Sequence, residues 1–370
     1  MKIAVVGTRG FPNVQGGVEA HCENLYPLLA QKGCEVTVFA RRPYLSSNQP
    51  FIYRGVNIVP LACPKNRSLE AFLHTIYGIF QARKLHPDLL HIHAVGPALC
   101  VPLARLLGLK VVMTHHGPDY QRKKWGRLAK SILKLGEYTG SSLSQSVIAV
   151  SDQIASGIRE KYKRKVYTIP NGVGAAEFQD PNGGLKKYSL TKEKYILAVG
   201  RFVPEKGFLD LVAAFEKIEE QDWKLVIVGR ADHSNSYSLE LEKMAKNNKN
   251  IILTGFLSGV SLQEIFSNAG LFVLPSYYEG LPIALLEALS YGLSSIASNI
   301  PANKEVGLSE NRYFQAGDIH ALTEKIREFI AQPMSETEQE DQIKQIKEKY
   351  NWGKIAESTW EVYLRVISKN

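Results

Sequence analysis

No stretch of the 370-residue chain approaches the about 18 uninterrupted apolar residues that a membrane span needs, so any bilayer contact has to be peripheral. Cysteine is scarce. Cys22, Cys34, Cys63 and Cys100 all fall within the first 100 residues and form no C-x-x-C pair, which excludes a zinc knuckle or dithiol redox motif. They fit reduced, mostly buried thiols in the cytosol. The dinucleotide fingerprint G-x-G-x-x-G is missing, which disfavours a nicotinamide-linked oxidoreductase. D-x-D is missing too, so no paired-aspartate site for a divalent ion is written here, and neither a metal nor another cofactor is expected. There is no repeat of solenoid length and no low-complexity tract. The segment Met1 to Gly7 is too short for the apolar region of a signal peptide and suits a buried strand.

What is present is a globular composition, 45% hydrophobic and 22% charged, long enough for two domains at about 150 residues each. Forty-five Lys and Arg against 36 Asp and Glu leave a formal charge of +9, favouring anionic partners such as phosphates, acidic lipid head groups or nucleic acid. Short β-branched runs alternate with helix-period stretches. Ile3 to Val6, Val36 to Phe39, Val56 to Leu61, Leu89 to Ile92, Lys110 to Met113 and Val147 to Val150 read as strands of one parallel α/β sheet. Tyr195 to Val199, Lys224 to Val228, Ile251 to Leu253, Leu271 to Leu274 and Ser294 to Ala297 read as strands of a second, with helices over Phe208 to Glu219 and Leu281 to Tyr291. The expected organisation is a first domain over 1–172, a linker rich in Gly, Pro, Asn and Lys over 173–194, and a second domain over 195–351. The apolar positions Ile355, Trp360, Tyr363, Leu364 and Ile367 make residues 352–370 an amphipathic helix expected to pack back on the first domain. Two doubly wound domains hold a ligand best in a cleft at the C-terminal edges of both sheets.

The first strand runs into Gly7-Thr8-Arg9-Gly10 and on to Gly16-Gly17-Val18-Glu19, where a helix begins. A Gly-Gly pair there leaves amides and the positive end of the helix dipole open to a phosphate, although the glycines could equally serve only a turn. In the second domain Val199-Gly200-Arg201-Phe202-Val203-Pro204-Glu205-Lys206-Gly207 repeats the strand, loop and helix-start pattern. Arg201 as a fork and Lys206 as a point charge suit a departing diphosphate, unless both are solvated surface cations. Pro275 to Ala288 carries Glu279 in a loop and Glu287 on the following helix. Carboxylates in so apolar a setting need partners: sugar hydroxyls, or for Glu287 a structural basic residue.

These motifs resemble the retaining GT4 glycosyltransferases of the GT-B class, and the match spans nearly the whole chain. It rests on E-G-L-P-x-x-x-x-E-A from Glu279 to Ala288, G-R-x-x-x-x-K-G from Gly200 to Gly207, G-G-V-E from Gly16 to Glu19, and the terminal helix after Tyr350-Asn351-Trp352. The resemblance implies two Rossmann-like domains facing each other across a cleft. It implies that Arg201 and Lys206 bind the donor diphosphate, that Glu287 holds the ribose hydroxyls, and that Glu279 lies beside the donor sugar with the amides of Gly280 and Leu281. Gly255, Phe256 and Leu257 would border the base, and Gly16 and Gly17 would face the diphosphate from the other domain. In Thr114-His115-His116-Gly117-Pro118-Asp119 the histidine before glycine, His116, would act on the donor sugar or acceptor, with His115 in reserve and Asp119 on the acceptor side. Retention, by front-face attack in which the leaving phosphate takes the acceptor proton, and metal independence follow from the same resemblance.

Gln121 to Leu135 is a basic amphipathic stretch that could lie on an anionic bilayer with Trp125, Ile132 and Leu135 inward, or could be a surface helix whose apolar face is core. The expected enzyme moves a sugar from a nucleoside diphosphate sugar to a saccharide or lipid-linked saccharide in bacterial cell-surface polysaccharide synthesis. It would be cytoplasmic and peripheral on the inner face of the membrane. A GT-B nucleotide-sugar epimerase is the alternative. A polyanion or nucleic-acid binder is disfavoured, because only Trp125 interleaves with the basic cluster.

Overall fold

The computed structural model describes residues 1–64, 70–122, 125–219 and 222–368. The chain divides into two compact units, Met1–Gly172 joined by the C-terminal residues from Trp352, and Val173–Asn351.

In the first unit β1 (Lys2–Val6), β2 (Glu35–Arg41), β3 (Phe51–Tyr53), β4 (Val56–Leu61), β5 (Leu89–His93), β6 (Val111–His115), β7 (Ser146–Ala149) and β8 (Tyr167–Thr168) form an eight-stranded sheet. Its order is β3-β4-β2-β1-β5-β6-β7-β8, parallel apart from the β3–β4 hairpin. The β-branched runs are buried on both faces, as a parallel sheet covered by helices requires. On one face lie α1 (Gly17–Gln31) and the terminal helix Trp352–Ile367, whose Trp352, Ile355, Val362, Tyr363 and Val366 join the core. Leu364, expected on that apolar face, points to solvent. On the other face lie α2 (Glu70–Lys84), α3 (Val95–Ala98) and α4 (Val101–Leu106), with α5 (Arg127–Leu143) alongside α3 and α4.

In the second unit β9 (Tyr195–Val199), β10 (Lys224–Val228), β11 (Ile251–Gly255), β12 (Leu271–Leu274), β13 (Ser295–Ser298) and β14 (Tyr313–Phe314) make a six-stranded parallel sheet ordered β11-β10-β9-β12-β13-β14. Residues 173–194, expected as a linker, belong to this unit. The buried Glu264 accepts N–H bonds from Asn182 (2.6 Å), Gly184 (3.0 Å) and Leu185 (3.1 Å), so it caps the short helix Gly183–Lys187. That anchor lies about 80 residues further on, out of reach of a local composition reading.

Candidate active site

β9 lies between β10 and β12, so the winding of the second sheet reverses there. Loops leaving the carboxyl ends of such neighbouring strands flank a crevice. Gly207 brings the two loops together: its φ is +66°, and a Cβ on it would lie 2.2 Å from the carbonyl oxygen of Pro275. The Tyr277 N–H donates to the Glu205 carbonyl at 2.9 Å. Across this junction Lys206 Nζ donates to Glu279 Oε1 at 2.7 Å, and the same oxygen accepts from Ser276 Oγ at 2.6 Å. The two motifs, read separately from sequence, therefore share one ion pair. Both members are mostly enclosed, with side chains 19% and 11% exposed.

Arg201 Nη1 pairs with Asp232 Oδ2 at 3.0 Å, in the loop after β10. The neighbouring Phe202 N–H donates to the Arg230 carbonyl at 3.1 Å, and the Arg230 guanidinium stands 5.8 Å from the centroid of Phe256. Gly255 ends β11, where its carbonyl accepts from the Gly229 N–H, and Phe256 and Leu257 follow, half-buried. Arg201 and Lys206 after β9, Gly255 to Leu257 at the end of β11, and Glu279 to Leu281 after β12 thus leave the carboxyl ends of three strands of one sheet.

Glu287 lies on the helix Ile283–Ser290 that follows this loop. Burial pushes its carboxyl up to about 7, because nothing in its surroundings compensates the lost hydration of the charged form. Among the described residues no hydrogen bond or ion pair engages that carboxyl, so the basic structural partner weighed for it is not found.

The first unit has the same reversal at β1, which lies between β2 and β5. Gly7 (φ +98°) closes against β5, since a Cβ there would lie 2.3 Å from the His93 carbonyl oxygen. Gly16 and Gly17 open α1 as expected, but the first turn already holds an anion. Glu19 folds back so that Oε1 accepts the Arg9 N–H at 3.0 Å and Oε2 pairs with the Arg9 guanidinium at 3.1 Å, both side chains nearly buried.

His115 and His116 part company. His115 ends β6 fully buried, its Nδ1 accepting the Gly117 N–H at 3.1 Å, and burial lowers it to about 4. His116 instead joins His93, whose Nδ1 lies 2.9 Å from His116 Nε2, so one nitrogen carries the proton between them. His93 Nε2 also bonds the Tyr26 hydroxyl. His91, next but one on the same strand face, meets the Tyr363 hydroxyl of the terminal helix at 2.6 Å and Thr114 Oγ1 at 2.7 Å. His21 stacks edge-on against both His93 and His116 and bonds Asn171 Oδ1 through Nδ1 at 3.0 Å. Burial first, and the neighbouring imidazoles second, hold His93 and His116 well below the usual histidine range, so both are neutral at pH 7. Of the three, one nitrogen each of His21, His93 and His116 lie within 4.8 Å of one another, a set able to hold a metal ion. Asp119 sits in a 3-10 turn paired with Arg122 at 2.7 Å, apart from this cluster's hydrogen bonds.

Residues 185–350 match the family described as Glycosyl transferases group 1, and residues 15–177 match Glycosyltransferase Family 4. The chain belongs to the group 1 glycosyltransferases of the GT-B fold. It is 27% identical to an uncharacterized glycosyltransferase of Methanocaldococcus jannaschii over 98% of each chain. It is 30% identical to the UDP-Gal:alpha-D-GlcNAc-diphosphoundecaprenol alpha-1,3-galactosyltransferase of Escherichia coli over 66% of each. Sucrose-phosphate synthase of Thermosynechococcus elongatus superposes with a TM-score of 0.86 at 21% identity, covering 100% of both chains. In this glycosyltransferase the candidate residues are joined by neighbours that the motif reading passed over: Asp232 and Arg230 after β10, and His21, His91, His93, Tyr26 and Asn171 around His116. A signal for the histidines was available, because Leu89-Leu90-His91-Ile92-His93 places two polar rings at period two in an otherwise apolar strand.

Proposed function

We propose that this glycosyltransferase takes a sugar from a nucleoside diphosphate sugar and gives it to a saccharide or lipid-linked saccharide, with retention, in bacterial cell-surface polysaccharide synthesis. The observation that carries the donor half is the Lys206–Glu279 pair with Arg201 beside the same strand reversal, followed by the unengaged carboxyl of Glu287. Lys206 and Arg201 neutralise the leaving diphosphate in place of a divalent ion, and Glu287 takes ribose hydroxyl donors that the protein does not supply. Gly280 and Leu281 present the helix start to the sugar and phosphate. His116 acts as a neutral imidazole on the sugar or acceptor. In the transfer the bond from C1 to the phosphate oxygen breaks, the acceptor oxygen bonds C1 on the same face, and its proton passes to the leaving phosphate. The Escherichia coli relative, named for a UDP donor and a diphosphoundecaprenol acceptor, supports a UDP donor and a lipid-linked acceptor here.

The acceptor would be reached at a membrane surface. None of the described helices is long and apolar enough to cross a bilayer. α5 packs its small residues inward, where a Cβ on Gly136 would lie 2.2 Å from the Val95 carbonyl oxygen, and turns Leu128, Ile132 and Leu135 outward at 77%, 45% and 51% exposure. The apolar stripe of this helix is therefore not core, in contrast to the ordinary surface helix weighed from sequence. Arg127, Lys130 and Lys134 flank it, which suits anionic head groups. Trp125, expected with the outer residues, is half-buried, and Lys123 and Lys124 lie outside the described residues.

The test is a thermal-shift panel of UDP, GDP, dTDP, ADP and their sugar conjugates, without added metal, on wild type and Arg201→Ala. A nucleotide that raises the midpoint of wild type and not of the variant supports the donor site and names its base. No shift at millimolar nucleotide overturns it.

A further inference from the structure

We propose that His21, His93 and His116 form a zinc site in the first unit, one that takes His116 out of the sugar chemistry when it fills. Three imidazoles already converge: the candidate ligand atoms lie within 4.8 Å of one another, and the His93 and His116 nitrogens are 2.9 Å apart. Two nitrogens on a tetrahedral zinc stand about 3.3 Å apart, so the closure falls on the His21 ring.

The decisive atom is His21 Nε2. The Asn171 amide oxygen, an acceptor only, fixes the His21 proton on Nδ1, 3.0 Å away. Nε2 therefore carries a lone pair, and it is fully buried with no hydrogen-bond partner on a side chain only 2% exposed. A buried acceptor left unmatched loses its hydration with nothing in return, and a cation beside the other two rings would satisfy it.

Two of the three rings also have the outer contact that metal-bound histidines usually make, a second polar group on the other nitrogen. Asn171 serves His21. For His93, Nε2 meets the Tyr26 hydroxyl, which in turn lies 3.0 Å from His91 Nδ1, and the tautomer with the proton on His93 Nε2 makes that hydroxyl its acceptor. With His93 Nδ1 an acceptor, the proton between the two rings sits on His116 Nε2; when the ion binds, that proton moves to His116 Nδ1, and both His93 Nδ1 and His116 Nε2 then turn lone pairs to the ion. No ligand needs to lose a proton, because burial keeps the rings neutral. Imidazole nitrogens suit zinc over magnesium or calcium, and three ligands leave a fourth position for water. His116 is the half-exposed member, so the ion enters from its side. Zinc here is an inhibitor and not a cofactor; that consequence, unlike the binding, rests on the role given to His116 above.

The test is zinc titration of the full chain, stripped of metal, in competition with a chromophoric chelator, for wild type, His21→Gln, His116→Ala and the exposed control His320→Ala. Thermal melts show that each variant is folded. One zinc per wild-type chain, weakened at least tenfold in both site variants and unchanged in the control, is expected. Cobalt at the same site should give the intense visible bands of a four-coordinate ion. Zinc held equally by wild type and His21→Gln, or cobalt showing only the weak spectrum of its hydrated ion, overturns the site. Binding is read without substrate, so a failed nucleotide panel would leave this result standing. Conversely, one equivalent of zinc that binds but leaves turnover intact would refute only the inhibition.

Discussion

The two units solve the same geometric problem with opposite chemistry. In each, a strand with neighbours on both sides is followed by a left-handed glycine pressed against the end of a neighbouring strand: Gly7, directly after β1, on His93 at the end of β5, and Gly207, in the loop after β9, on Pro275 just past β12. Around Gly207 the side chains are charged and paired, Lys206 with Glu279 and Arg201 with Asp232. Beside Gly7 stand the buried, neutral rings of His91, His93 and His116, and the Arg9 guanidinium that follows is held by Glu19. A carboxylate partner keeps each cation of the second unit placed before a phosphate arrives, at the expense of competing with it. This contrast is what motivates placing the donor diphosphate of the proposed reaction on the second unit and the hydrogen-bonding role of His116 on the first.

That division is broken most sharply at Lys206. Lys206→Ala should lower turnover about 100-fold to 1000-fold, the usual cost of removing one preorganised electrostatic partner of a developing charge. Its melting temperature should fall as well, since Glu279 is left without its cation in a mostly enclosed place, but the variant should stay folded at the assay temperature, so the loss of turnover is read on folded protein. Steady-state kinetics beside a melt checks both. Full activity would mean that the second unit's cations are structural.

Glu287→Gln should weaken nucleotide binding about tenfold, the cost of replacing a charged acceptor by an amide in hydrogen bonds to hydroxyls. Isothermal titration reads it. Without ligand the variant should be at least as stable as wild type above pH 7, because the raised carboxyl pKa makes the ionised form unwelcome in the fold. A loss of stability with unchanged affinity would return Glu287 to a structural role.

How much of this was readable follows the same line. The charged motifs Arg201, Lys206, Glu279 and Glu287 are contiguous in sequence with the strand ends that present them, so residue type and spacing singled them out and the resemblance to GT4 enzymes supplied the roles proposed for them. The strands themselves were legible because parallel sheets bury continuous β-branched runs, and Tyr195–Val199 and Lys224–Val228 have the bounds their composition indicates. The histidine cluster was not legible as a site. Its members come from α1, β5, the residue after β6 and the terminal helix's contacts, and only the strand order brings them together. Glu264 capping residues 182–185 was hidden for the same reason. For α5 the apolar period left two readings open, a stripe toward a bilayer or a face toward the core, and the glycines, invisible to that period, decide which side approaches the rest of the unit.

The units should also part in acid and base. His21 titrates near 4 when folded and near 6.5 when unfolded, so its contribution is present above pH 6.5 and lost as pH falls through about 4. For one such buried histidine that is about 3 kcal/mol, and His93 and His116 move in the same direction. Glu287 runs the opposite way: its contribution is present below about 4.5 and lost as pH rises through about 7. Hydrogen exchange resolved by peptide, at pH 7.5 and 5, should show protection falling in β5 and α1 while the helix Ile283–Ser290 gains. Parallel loss in both units would remove the contrast.

The smallest effect belongs to the outer face of α5. Leu128, Ile132 and Leu135 contribute little to the core, so Ile132→Asp should leave the melt unchanged and act only where a membrane is present. Withdrawing one half-exposed apolar side chain and adding a charge near anionic head groups should weaken binding to vesicles containing phosphatidylglycerol about tenfold. Sedimentation with the vesicles measures it, and raising the salt should weaken wild type further, because Arg127, Lys130 and Lys134 act through a screened field. Equal sedimentation of variant and wild type would mean that the stripe meets something other than lipid, and the acceptor would then reach the enzyme from solution.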